Sequence, residues 1–120
     1  ITGTIAAARE FYPGRRIVLL FQPHQHARTA RLFDQFAGAL QNPDLAVVSD
    51  VYAVAGREEG ETVLSADLVA AANSQGAQAR YSGDLDASAQ TVRSHLHPGD
   101  VVIVMGAGDV DRVARELVVA

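Results

Sequence analysis

The sequence contains no cysteine and no lysine, and each absence excludes a kind of chemistry. Without cysteine, a chain has neither a disulfide framework nor a metal site built on thiolates. All ten basic residues are arginine. The missing lysine excludes, within these 120 residues, the phosphate-binding loop of P-loop proteins, a Schiff-base lysine and a lysine general base.

Basic charge and long apolar runs are also scarce. The net charge is −4, which offers no basic surface for nucleic acid. No apolar run approaches the roughly 20 residues that span a bilayer, so we expect no membrane contact. The start of the chain does not resemble a signal peptide, and we therefore expect a cytoplasmic protein. The composition does not define an oligomeric state.

Three continuous apolar runs predict buried strands that form the centre of a sheet: "RRIVLLF" from Arg15, "LAVVSDVY" from Leu45 and "VVIVMG" from Val101. None alternates between apolar and polar residues, which is typical of parallel strands that are covered on both faces. The segment "AQARYS", residues 77–82, predicts at best a short strand.

Amphipathic segments alternate with these runs and predict helices. Capping residues place the helix starts at Thr2 or Thr4, at Ser65, at Asp84 with Asp86, and at Gly108 with Asp109. A further helical face carries Ala30, Phe33, Ala37 and Leu40. The alternation predicts one α/β domain over residues 1–120, with a Rossmann-like, mainly parallel sheet and helices on both faces in three layers.

Ligands of such sheets bind beyond the carboxyl ends of the strands, where the loops 22–28, 53–60 and 106–109 are expected. In the first loop, Arg28 near a helix start favours a carboxylate or phosphate, with His24 and His26 beside it. The alternative is that His24 and His26 are ordinary surface residues and that Arg28 pairs with Asp34 or with a solvent ion.

The other two loops offer weaker candidates. Asp50 at a strand end could contact an amine, a ribose hydroxyl or hydrated Mg²⁺, or could cap a turn. The turn "MGAGD" could approach a phosphate but is favoured as a structural turn, with Asp109 at a helix N-terminus. No metal site is predicted, because His95 and His97 precede a strand and so lie at the opposite edge from the first loop.

Three segments together resemble one family: "FQPHxxxRT", "SDVYAVAGRE" and "PGDVVIVMGAGDV". They are similar, in order and over essentially the whole chain, to the C-terminal domain of the Mur ligases, in the branch that adds L-alanine to UDP-N-acetylmuramate. The resemblance implies two further domains, an N-terminal UDP-binding domain and a central ATPase domain, which are absent here. The chain has no initiator methionine and opens directly into a helix, as expected of part of a larger protein.

The resemblance also implies site residues. It places His24, Gln25 and Arg28 on the L-alanine side, and Asp50, Tyr52, Gly106 and Gly108 on the nucleotide side. It implies no catalytic residue and no metal ligand within these residues. The chain departs from the family at Gln25, where an arginine is common, and at His26, where an aromatic residue is common.

The implied activity is an ATP-dependent ligation, with ATP and Mg²⁺ bound mainly by the central domain and this domain inactive alone. Two alternatives remain open. One is the muropeptide-recycling ligase of the same superfamily, although "FQPH" differs from the loop of that branch. The other is a stand-alone α/β binding domain.

Overall fold

A computed structural model describes residues 1–51 and 64–106 of the chain. Helices and strands alternate along these residues. They are α1 (Thr2–Phe11), β1 (Ile17–Phe21), α2 (His26–Arg31), α3 (Phe33–Ala39), β2 (Leu45–Ser49), α4 (Ser65–Ser74), β3 (Ala79–Gly83), α5 (Leu85–His95) and β4 (Val101–Met105). Among these described helices, none is both long enough and apolar enough to cross a membrane.

The four strands form one parallel sheet in the order β3-β2-β1-β4. Strand β1 pairs on one side with β2 and on the other with β4, so that Leu20 lies between Val47 and Val104. The predicted parallel α/β architecture is therefore confirmed. All five residues of β1 and of β2 are buried, as the continuous apolar runs indicated.

Alternate residues of β1 face opposite sides of the sheet, and each side has its own core. Ile17, Leu19 and Phe21 pack with residues of α1, α3 and α4. Val18 and Leu20 pack with α5 through Ala89 and Val92. Helices therefore cover both faces, which confirms the three layers.

The prediction that β4 is a central strand is wrong for the sheet that the described residues form, because β4 lies at one end of it and is half-buried. Its residues nevertheless pack against both cores, Val102 and Val104 on one side and Ile103 on the other. An apolar run indicates that both faces of a strand are covered. The position of the strand in the sheet depends instead on which strands pair with it.

At the other end of this sheet, β3 is a full five-residue strand, paired with β2. The sequence predicted a short strand at most. Two exposed residues, Arg80 and Tyr81, interrupt the apolar pattern of β3. An end strand with solvent on one side gives a weaker hydrophobic signal than a buried one.

Two of the predicted caps are wrong. Helix α1 begins at Thr2, with Ile1 at the N-cap position, and α4 begins at Ser65, with Leu64 at the N-cap position. The Ser65 hydroxyl instead donates to the carbonyl oxygen of Ser49 over 2.6 Å, which ties the start of α4 to the end of β2.

The prediction for α5 is confirmed, because the Asp84 carboxylate accepts a hydrogen bond of 2.8 Å from the backbone N–H of Ala87. The single helix predicted through Ala30 and Leu40 is divided at Leu32 into α2 and α3. The predicted last helix lies outside the described residues.

Candidate ligand-binding site

The strand order places a topological switch point between β1 and β4. From β1 the chain passes to β2 on one side, and it returns to the other side of β1 only with β4. In open parallel sheets, ligands bind in the crevice outside the carboxyl ends of two such strands. The residues that directly follow β1 and β4 at this switch point are Gln22 and Gly106.

The loop after β1 is held in a defined conformation. Pro23 is buried and His24 is half-buried. Gln25 has φ 62° and ψ 135°, a conformation that L side chains rarely adopt. The carbonyl oxygen of Gln25 accepts hydrogen bonds from the hydroxyl of Thr29 at 2.7 Å and from its backbone N–H at 3.0 Å. Strained residues of this kind cost about 1–3 kcal/mol and cluster at ligand sites.

Arg28 lies on α2, three residues after Gln25, and is exposed. The ion pairs of the described residues do not include one between Arg28 and Asp34. The alternative role that the sequence left open for Arg28, a surface pair with Asp34, is therefore not observed in this part of the chain. An exposed guanidinium beside a strand end can bind a carboxylate in a bidentate way.

Gln22 and Gly106 are in close contact. The backbone N–H of Gln22 donates to the carbonyl oxygen of Met105 over 2.9 Å, which extends the pairing of β1 and β4 by one residue. A Cβ atom at Gly106 would lie 2.9 Å from both the Cβ and the carbonyl oxygen of Gln22. With φ +156° in addition, this position favours glycine because of its protein neighbour, and a phosphate is not needed to explain it.

The side-chain amide oxygen of Gln22, Oε1, is buried and has no hydrogen-bond partner among the described residues. Only 6% of Gln22 is exposed. A buried acceptor without a partner costs about 1–3 kcal/mol, so such atoms are rare in native structures, and a functional role is one reason for retaining them. From the sequence, Gln22 was assigned to the loop but not to the site. The available signal was a polar residue directly after a fully apolar strand.

Asp50 follows β2 at the same edge and is exposed. Its backbone N–H donates to the carbonyl oxygen of Gly83 at 2.8 Å, and its carboxylate accepts a hydrogen bond from the hydroxyl of Tyr81. This hydrogen bond raises the pKa of Tyr81, since it favours the protonated phenol next to a carboxylate. The carboxylate of Asp50 is thus oriented by β3, a contact that the sequence could not indicate without the strand order.

The remaining predictions concern metal ligands and residues of the two other loops. Tyr52, Gly108 and Asp109 lie outside the described residues. Within the described ranges, no three His, Asp or Glu side chains are placed to hold one metal ion. The carbonyl oxygen of His95 accepts from Arg16, which immediately precedes β1. His95 thus lies at the amino edge of the sheet, as predicted.

The fold and the loop after β1 define a Rossmann-like α/β domain with a polar, strained loop at its switch point. The chain belongs to the Mur ligase family, because residues 1–108 match the family described as Mur ligase, glutamate ligase domain.

Its relatives include two proteins named UDP-N-acetylmuramate–L-alanine ligase. The protein from Chloroflexus aggregans is 40% identical over 119 residues, and the protein from Sorangium cellulosum is 41% identical over 120 residues. Each match covers 98% of this chain but 25% of the relative. The chain therefore spans about a quarter of the length of these curated relatives.

Solved structures share the fold. A murein peptide ligase from Psychrobacter arcticus superimposes with a TM-score of 0.75 at 16% identity, over 98% of this chain and 24% of that chain. A ligase domain from Haemophilus ducreyi gives a TM-score of 0.67 at 21% identity, over 98% of this chain and 78% of that chain. At these identities the likeness concerns the fold alone.

Proposed function

We propose that the chain is the C-terminal domain of a UDP-N-acetylmuramate–L-alanine ligase, the enzyme that joins L-alanine to UDP-N-acetylmuramate in peptidoglycan precursor synthesis. The observation that carries this proposal is the strained loop after β1, which presents Arg28 at the ligand edge of the sheet. The names of the relatives at 40% and 41% identity support the choice of L-alanine.

The reaction is a carboxylate–amine ligation. ATP phosphorylates the lactyl carboxylate of UDP-N-acetylmuramate, the amine of alanine attacks the activated carbonyl carbon, and phosphate leaves. ATP with Mg²⁺ supplies the activation and is held mainly by a central domain that precedes this chain. The use of ATP places the reaction in the cytoplasm.

This domain holds the amino acid and closes over the nucleotide. Arg28 binds the carboxylate of alanine, with His24 and Gln25 beside it in the same loop. Holding two reactants in position removes several kcal/mol from a barrier, because the second reactant no longer has to be captured and oriented from solution.

The nucleotide-side roles of Asp50, Tyr52, Gly106 and Gly108 stay proposals. Asp50 fits such a role, since its exposed carboxylate is oriented by Tyr81 and can meet a ribose hydroxyl or a hydrated cation. Gly106 fits less directly, because the space next to its Cα is taken by Gln22.

The test is turnover of the full-length enzyme with each L-amino acid and with an L-alanyl-γ-D-glutamyl tripeptide. We expect phosphate release with L-alanine, dependent on both ATP and UDP-N-acetylmuramate, and the 120-residue chain alone should be inactive. Preference for the tripeptide would instead identify the muropeptide-recycling ligase. Turnover with neither acceptor would support a stand-alone binding domain.

A further inference from the structure

We infer that Gln22 holds the amine of the incoming amino acid, with its side-chain amide oxygen accepting a hydrogen bond from the α-amino group. The inference rests on the proposed function, and it adds to the carboxylate contact of Arg28 a contact for the group that reacts. The two residues would recognise an α-amino acid at two points, its carboxylate and its amine.

The first support is the unsatisfied Oε1 atom of Gln22. Among the described residues this acceptor has no partner, although Gln22 is only 6% exposed. Such an atom gains most from a ligand that carries N–H donors. An amino acid provides these donors in both protonation states of its α-amino group.

The second support is the position of Gln22. It is the first residue after the central strand β1, at the switch point between β1 and β4. Its backbone is fixed by the hydrogen bond to Met105 and by the contact with Gly106. A side chain that starts from so rigid a base orients a ligand with little loss of conformational entropy.

The third support is the chemistry of an amide. An amide oxygen accepts a hydrogen bond but does not take up a proton near neutral pH. Held through one N–H, the neutral amine keeps its lone pair for the carbonyl carbon. The C–N bond then forms, the bond from carbon to the phosphate oxygen breaks, phosphate leaves with the electron pair, and the surplus proton of the amine passes to solvent. Gln22 is thus a positioning residue and not a base.

The test compares Gln22→Met with Gln22→Glu in the full-length enzyme. Methionine keeps the length of the side chain but has no amide oxygen, whereas glutamate keeps an oxygen acceptor. We expect Gln22→Met to raise the KM for L-alanine about tenfold to a hundredfold, as for loss of a hydrogen bond to a charged group. The KM for L-alanine in Gln22→Glu should lie within about fivefold of the wild-type value.

Propionate separates the amine contact from the carboxylate contact, because it is alanine without the amine. Its inhibition constant should be unchanged in Gln22→Met and raised in Arg28→Ala. The KM values for ATP and UDP-N-acetylmuramate, and the alanine-independent formation of the acyl phosphate (measured by borohydride trapping), should stay within about twofold of the wild type in Gln22→Met.

Gly106→Ala is a second test that keeps the Gln22 side chain but displaces it. Its added Cβ would lie 2.9 Å from both the Cβ and the carbonyl oxygen of Gln22, so the backbone of Gln22 must shift together with its side chain. We expect a rise in the KM for alanine that exceeds any rise in the inhibition constant of propionate.

Three results would overturn the inference. The first is an alanine KM within twofold of the wild type in Gln22→Met. The second is an equal loss in Gln22→Met and Gln22→Glu. The third is an equal rise, in Gln22→Met, of the KM for alanine, the inhibition constant of propionate and the KM for ATP. That result would indicate that Gln22 only supports the fold. If the wild-type enzyme does not ligate alanine, the proposed function itself is wrong, and that result is obtained before any variant is made.

Discussion

Gln25 adopts a backbone conformation that is ordinarily left to glycine, and it does so at the N-cap of α2. Glutamine has no preference for a positive φ, so the backbone preference of this residue does not explain the turn. The hydrogen bonds from Thr29 to the carbonyl oxygen of Gln25 stabilise the turn against this strain. A cost of this kind is retained where the loop must present its neighbours in one orientation.

Glycine at position 25 should therefore stabilise the fold. We expect Gln25→Gly to raise the free energy of unfolding by about 1 kcal/mol, since glycine adopts positive φ without a steric penalty. Gln25→Ala is the matched control, because alanine keeps the strain and should change stability by less than about 0.5 kcal/mol. Urea unfolding measures both. Equal stabilities for the two variants would show that Gln25 carries no strain.

Arg28 is the residue that we propose to bind the carboxylate of alanine. We expect Arg28→Ala in the full-length enzyme to raise the KM for alanine about tenfold to a hundredfold, from a charged hydrogen bond worth roughly 1.5–3 kcal/mol. The KM for UDP-N-acetylmuramate should change little. Arg28→Lys should rescue the KM only in part, since lysine keeps the charge but loses the two parallel donors. Steady-state kinetics with each substrate varied in turn measures these effects.

If Arg28 is instead a solvated helix residue, Arg28→Ala will leave every kinetic constant within about twofold of the wild type. That result would remove Arg28 from the site and leave His24 as the main candidate of the sequence analysis.

At the scale of single elements, the sequence predicted most strands and helices but not their arrangement. The apolar runs at Ile17, Leu45 and Val101 identified β1, β2 and β4, because a strand that is covered on both faces has apolar residues at successive positions. The strand order was not predictable, since it depends on which helix crosses which face. The contact between Asp50 and Tyr81 depends on the pairing of β2 with β3 and was missed for that reason.

Helix α5 has a side-chain hydrogen bond at its N-cap, whereas α4 has none, and this difference should affect stability. We expect Asp84→Ala to lower the free energy of unfolding by about 1 kcal/mol, because it removes the hydrogen bond to the N–H of Ala87. Asp67→Ala is the control. Asp67 is an exposed acidic residue in the first turn of α4, where Leu64 holds the N-cap position, and its loss should cost about 0.5 kcal/mol or less. Thermal unfolding that ranks Asp67→Ala as the more damaging change would contradict this assignment.

Across the whole molecule, the amino edge of the sheet is held by an ion pair between distant segments. Arg16, which precedes β1, pairs with Asp100, which precedes β4, at 2.9 Å between Nη2 and Oδ2 and 3.3 Å between Nε and Oδ1. The side chain of Asp100 is 5% exposed, and it also accepts from the backbone N–H of His97. The carboxyl edge of the sheet, by contrast, carries Gln25 with its strained backbone and Gln22 with its buried amide oxygen that has no partner among the described residues.

This ion pair predicts how stability depends on pH. The hydrogen bond from Arg16 lowers the pKa of Asp100 below its ordinary value, with a further contribution from the N–H of His97. A carboxyl group whose pKa is lowered by folding stabilises the fold above its unfolded pKa of about 3.9 and loses that contribution as the pH falls below it.

We therefore expect Asp100→Asn to cost about 1–2 kcal/mol at pH 7 and at pH 5, and progressively less below about pH 4. Urea unfolding of both proteins at pH 7, 5, 4 and 3 measures the difference. Asp67→Asn should show a small effect at every pH. A difference between wild type and Asp100→Asn that stays constant down to pH 3 would mean that the ion pair does not stabilise the fold.

The candidate site shows where sequence reasoning ends. Arg28 and His24 could be named from residue type and from the position of their loop after a strand. Gln22 could not, because its role depends on the burial of one atom and on the approach of Gly106 from a strand that is distant in sequence. Such contacts are made by the tertiary structure and leave no periodic pattern in the chain.

The contact between Gln22 and Gly106 also has a consequence for inheritance. With a Cβ at position 106, the loop after β1 must shift, because the clash is with the Cβ and the carbonyl oxygen of residue 22 and so arises whichever side chain stands at position 22. A lineage that acquires a side chain at position 106 must at the same time accept a displaced residue 22. Exchange of the segment that holds β4 and Gly106 between two related genes will therefore succeed only when the donor also has glycine at position 106.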